Sequence, residues 1–178
     1  MFRFQEKILI EQIKSGNQSA FSRLYQKYNE KIYRFIFFKT SNQDVAQDLT
    51  SNVFIKVFDY LTNGQEIENF QAFLFQTAKN LVIDHYRARA VQELPIDEFV
   101  EENISDQKDV ISELSGRFEL EKIQDVLAKL PEPYREVIIL RFVEDLPFKE
   151  IAQITGKTEG NLRVIVNRGL KLLRTNLS

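Results

Sequence analysis

Arg163, Asn167, Lys171 and Arg174 stand at i, i+4, i+8 and i+11, so any helix that holds them shows all four on one face. Gln76, Asn80, Asp84 and Arg87 repeat the same spacing earlier in the chain. Guanidinium and amide groups in rows of this kind suit hydrogen bonding to base edges and phosphates, not proton transfer. The usual reactive sets do not stand out. His85 is the one histidine, there is no cysteine, and no paired carboxylates, nucleophile–base set or Gly-rich phosphate loop can be picked out. The lone His85 reads as an interfacial or satisfied side chain. The chain is therefore not expected to be an enzyme, and neither a metal nor a cofactor is expected.

The elements that must position the C-terminal row follow from local pattern. Phe148, Ile151, Ala152 and Ile154 predict a short helix over 147–154, and Gly156 supplies the left-handed residue that ends it. Thr158 reads as the N-cap of a second helix. Leu162, Ile165, Val166, Leu170, Leu173 and Leu177 form its buried stripe, opposite the basic and amide row. A short helix, a Gly-containing turn and a longer helix with such an outer face is a helix-turn-helix pattern, whose second helix enters the DNA major groove.

Charge sets a limit on that reading. The whole chain carries a formal charge of −2. From Gly156 onward Lys157, Arg163, Arg168, Lys171 and Arg174 face one acid, Glu159. If every excess charge met a phosphate the salt slope would be only about −4. Such a helix on an acidic chain binds duplex DNA weakly unless it dimerises or something else brings it there.

The remainder reads as all-helical. A first helix ends near Ser15-Gly16, with Phe4, Ile8, Leu9 and Ile13 as its apolar positions. A second runs from Asn17 or Ser19 to about Lys39 and a third from Asp44 to Leu61. The third shows a short-chained polar surface that includes Asp48, Ser51, Asn52 and Lys56. After the turn at 62–66, the stretch 69–89 predicts a fourth helix, packed by Phe70, Leu74, Ala78, Leu81 and Val82. Between Ala90 and Arg117 eight acids meet two bases, with Pro95 and Gly116 as breakers, which predicts an acidic, flexible, largely extended linker. Helix resumes over 118–130, and the prolines at 131 and 133 start another. The expected organisation is all-α: an N-terminal helical domain over 1–89, a linker over 90–117, and a C-terminal domain over 118–178 with the helix-turn-helix. No apolar run reaches the length of a membrane span, and charges interrupt the first helix, so no signal peptide is read and the cytoplasm is the expected location.

Four blocks in order, SAFSRLYQKYNEKIYRFI, DVAQDLTSNVFIKVFDYL, FQAFLFQTAKNLVIDHYRAR and LPEPYREVIILRFVEDLPFKEIAQITGKTEGNLRVIVNRGLKLLR, resemble the two-domain extracytoplasmic-function (ECF) sigma factors of bacterial RNA polymerase. The resemblance implies a specificity subunit with no chemistry of its own. Its partners would be core RNA polymerase, promoter DNA and, in some cases, an anti-sigma factor. Asp48, Ser51, Asn52 and Lys56 would meet the coiled coil of the largest polymerase subunit. The loop over 63–69 and the following helix would open the −10 element and hold a flipped base, with Asn80, Asp84 and Arg87 on the exposed side. Arg163, Val164, Asn167 and Arg168 would read the −35 element, with Arg141 on a phosphate.

The chain leaves the family pattern at four places. Ser51-Asn52 replaces a pair that commonly carries an acid, and Phe73 stands where tryptophan is usual. Pro147 replaces a Ser N-cap, and Val164-Ile165 replaces a frequent Ser-Arg, although an exposed Val164 suits a thymine methyl. Two other readings remain open at this level: a free-standing dimeric helix-turn-helix regulator, and an all-helical protein-binding adaptor.

Overall fold

Phe35, Ile36, Phe37 and Phe38 are consecutive and all buried, which a helix achieves only when other elements pack around it. In the computed structural model, which describes residues 2–92 and 115–177, these residues lie on α2 (Gln18–Thr40). This helix packs against α1 (Phe2–Lys14), α3 (Gln43–Thr62) and α4 (Phe70–Gln92), and touches α5 (Ser115–Ala128). Aromatic edges fill the junctions. Phe35 meets Phe75 of α4 edge-on at 5.3 Å, and Phe21 meets Phe58 of α3 at 4.9 Å.

Side-chain caps set the helix starts. The Asn17 side chain accepts a hydrogen bond from the Ser19 amide, and Asn42 does the same for Val45, each satisfying a donor that a helix start leaves free. Between them Ser41 adopts φ 53° to close α2. The apolar set expected on α1 needs correction. Ile10 and Ile13 are buried and Leu9 is half-buried, while Phe4 and Ile8 are exposed. The stripe on α1 instead continues through Glu6, a buried carboxylate that accepts hydrogen bonds from the Tyr28 hydroxyl and the Lys27 ammonium. Burial, then Glu6, push the Tyr28 hydroxyl far up, so it remains a donor.

The C-terminal lobe is built from α5, α6 (Glu132–Ile138), a π-helical turn (Ile139–Val143), α7 (Phe148–Thr155) and α8 (Glu159–Leu177). The sequence predicts one regular helix after Pro133, and instead it widens at Ile139. There the Glu144 amide bonds the Ile139 carbonyl five residues back at 3.0 Å. The turn into α7 passes through Asp145 at φ 52° and Pro147, which sits at the N-cap without a side-chain bond, as its chemistry dictates. Gly156 closes α7 in the left-handed region (φ 71°), and Thr158 caps α8 by accepting from the Asn161 amide. Gly169 lets α8 approach α6: a Cβ there would lie 3.3 Å from Ile138 Cγ1. Leu162 and Val166 of α8 join Ile151, Ile154 and Val137–Leu140 in this lobe's core.

The described residues contain α-helix, the π turn and no strand, in keeping with the all-α expectation. Helix ends differ slightly from the expected extended stretch. Ala90–Gln92 continue α4, Ala90 and Gln92 being good helix formers and the first breaker, Pro95, lying beyond them, and Ser115–Arg117 open α5 despite Gly116. The rest of that stretch, 93–114, lies outside the described residues.

Candidate nucleic-acid interface

On α8 the side chains of Arg163, Val164, Asn167 and Arg168 are all exposed, with Val164 at 46%. They stand out because Leu162, Val166 and Gly169 turn into the core on the opposite side, and Ile165 is drawn half under with them. Lys171 and Arg174 extend the same outer row. Arg141 joins from the π turn. It is half-buried, its Nη1 donates to the Leu146 carbonyl at 3.0 Å, and it lies 3.8 Å from Asp145. The five positions are thus supplied by two elements, α8 and the π turn.

The N-terminal lobe presents a second polar row. Asn80, Asp84 and Arg87 are exposed on α4 as their spacing requires. Gln76, the first member of that row, is half-buried because its Nε2 donates to the main-chain carbonyl of Gln153 on α7 at 2.5 Å. Asn69 donates to the Gln153 side chain at 2.7 Å. These residues, with Ile67 and Phe73, line a recess of about 320 Å³. Phe73 is half-buried there, its ring 4.7 Å from that of Tyr60. His85 is half-buried with its ring 5.6 Å from Tyr86. No cluster of potential metal ligands occurs among the described residues.

Asp48, Ser51, Asn52 and Lys56 form an exposed strip along α3. Beside it Phe21, Tyr25, Phe54, Ile55 and Phe58 line an apolar groove of about 460 Å³ that also includes Ser51. Ile55 is 57% exposed and Tyr25 40%, high values for large apolar side chains on neighbouring helices.

Charged contacts between the lobes were not foreseen from sequence. Arg34 of α2 grips Glu144, and Lys39 pairs with Glu132 and, at 3.2 Å, with Glu136. Lys79 reaches the second oxygen of Glu136 at 3.3 Å. Only the burial of Lys39 has a local signal: it follows four buried apolar residues, so its stem is drawn under with them.

Residues 24–91 match the family model for Sigma-70 region 2, and residues 120–173 match that for Sigma-70 region 4, together about two thirds of the chain. The chain belongs to the sigma-70 family, as an ECF sigma factor. The ECF RNA polymerase sigma factor BldN of Streptomyces coelicolor is 30% identical over 170 residues, which take in 93% of this chain and 63% of that protein. The ECF RNA polymerase sigma factor SigW of Bacillus subtilis is 28% identical over 94% of each chain. This sigma factor thus spans less than two thirds of BldN and nearly all of SigW. A solved structure, the sigma factor RpoE in complex with the anti-sigma factor NepR from Bartonella quintana, shares the fold with a TM-score of 0.68 at 22% identity, covering 88% of this chain and 96% of that one.

Proposed function

We propose that this ECF sigma factor directs RNA polymerase to specific promoters, with its labour divided between its lobes. Residues 1–89 dock on core polymerase and open the −10 element; residues 118–178 read the −35 element; the acidic stretch 90–117 joins them. Asp48, Ser51, Asn52 and Lys56 contact the polymerase coiled coil, and the adjoining apolar groove supplies the buried centre that such an interface needs. Asn80, Asp84 and Arg87 face the −10 strand, and Phe73 lines the recess for an unstacked base. Arg163, Val164, Asn167 and Arg168 read base edges in the major groove, with Arg141 on a phosphate. The chain itself carries out no catalysis, and its place of work is the cytoplasm. No described helix is long and apolar enough to cross a membrane. An anti-sigma factor is a further partner class, as RpoE has in NepR.

One observation carries the reading: two sigma-70 regions in order, each with its polar row exposed and its apolar stripe buried. Charge supports it independently. A local excess of four basic charges holds duplex DNA weakly, and docking on polymerase compensates by raising effective concentration.

Geometry adds a requirement. Promoter elements about 25 base pairs apart lie about 85 Å apart on B-form DNA, whereas a folded chain of this length has a radius of gyration of about 16 Å. The lobes must therefore part when both elements are read, which also withdraws Gln153 from the −10 recess. The test is to mix the purified chain with bacterial core polymerase and assay co-elution and transcription from a genomic promoter pool. Co-elution with new, defined start sites is expected. No binding to core would overturn the reading, and tight salt-dependent binding to a palindrome without polymerase would favour a dimeric regulator.

A further inference from the structure

Phe148, the first residue of α7, is half-buried against the C-terminal core. Two guanidinium groups from different elements meet its ring. Arg163 Cζ of α8 lies 4.6 Å from the ring centroid and Arg141 Cζ of the π turn 5.3 Å. Both distances fall within the range where the ring's quadrupole attracts a cation. The turn that brings the ring under Arg141 is itself tied by that arginine, whose Nη1 holds the Leu146 carbonyl.

We propose that Phe148 is a positioning residue for −35 recognition, a shared platform that holds Arg141 and Arg163 in their DNA-reading orientations before DNA arrives. The inference rests on the −35 reading of α8 given above. A guanidinium carries its N–H donors in its plane, so an aromatic contact can restrain the group while leaving donors free for phosphate or a guanine edge. Arg163 needs such a restraint. Its side chain is 61% exposed, and its ion pair with Glu159, at 3.8 Å, is exposed as well and holds it weakly. Arg141 commits one nitrogen to Leu146 and keeps its remaining donors. One ring thus couples a base-reading arginine to a phosphate-binding one.

The test uses the full chain with core polymerase, on a promoter recovered from a genomic pool and on the same promoter with its −35 element scrambled. Phe148→Leu and Phe148→Met keep apolar volume but remove the quadrupole, and Phe148→Tyr keeps it. The expected result is a loss of about three- to tenfold in −35 discrimination for the first two, with discrimination restored in F148Y. In a chain already carrying Arg141→Ala and Arg163→Ala, the Leu and Met replacements should cause no further loss. Full discrimination in F148L and F148M would overturn the inference, as would an equal loss on the background lacking Arg141 and Arg163, which marks a purely structural effect. If Arg163→Ala and Arg168→Ala themselves leave discrimination unchanged, the −35 reading fails, and the inference with it.

Discussion

Arg34 and Glu144, 110 residues apart in sequence, form a two-pronged ion pair between the lobes: Nε to Oε1 at 3.1 Å and Nη2 to Oε2 at 3.0 Å. The Glu144 side chain is fully buried and Arg34 is 21% exposed. A buried pair of this kind adds little compared with an apolar contact, but removing one partner strands the other. Arg34→Ala is expected to destabilise the chain by about 3–5 kcal/mol in chemical denaturation. A loss under about 1 kcal/mol, the range of surface pairs, would show that the lobes do not hold this contact in solution.

The same pair gives a pH dependence with a definite sign. Burial pushes the Glu144 carboxyl above its ordinary 4.5, and Arg34 opposes the rise without cancelling it. Arg34, which burial lowers and the Glu144 and Glu30 carboxylates raise to a net rise, stays charged throughout, so the carboxylate is the member of the pair that titrates. A raised value means that the folded chain binds this proton more tightly than the unfolded chain, so the contribution is complete below the ordinary value and is lost as pH climbs through the raised one. The unfolding free energy of the wild type minus that of Glu144→Gln should therefore be larger at pH 5 than at pH 7.5. A difference that is flat or grows with pH contradicts the assignment.

Ile55→Glu tests the groove on α3. The side chain is 57% exposed, so stability should stay within about 0.5 kcal/mol of wild type. Affinity for core polymerase should fall by about 2 kcal/mol or more if the groove is the buried centre of that interface. Unchanged affinity would leave only the polar strip of Asp48, Ser51, Asn52 and Lys56 as the docking surface.

Separation of the lobes can be followed by energy transfer between dyes on α3 and α8. The free chain should show high transfer, and core polymerase with promoter DNA should lower it sharply. Arg34→Ala should lower it in the free chain. High transfer that persists in a transcribing complex would contradict the need to part.

Much of this was legible from sequence because it depends on local rules. Period and caps gave α2, α3, α4 and α8 to within a few residues. Gly156 and Thr158 marked the turn between α7 and α8, and the exposed rows followed from spacing except at Gln76, which Gln153 of α7 half-buries. What stayed hidden is nonlocal. Phe4 and Ile8 read as core, yet Glu6 takes the inward face of α1 because Tyr28 and Lys27 wait there. Nothing in PYREVIILRFV announces the widening at Ile139, and Lys39, Arg34 and Lys79 find their carboxylates only once the lobes meet.

The most direct test of the central claim is a footprint of core polymerase reconstituted with this chain on a promoter that it transcribes. The wild type should protect both the −10 and −35 elements. Arg163→Ala or Arg168→Ala should weaken the −35 contact by about 1–3 kcal/mol and leave the −10 opening in place. Protection of neither element, or a −35 footprint indifferent to both arginines, would contradict the account.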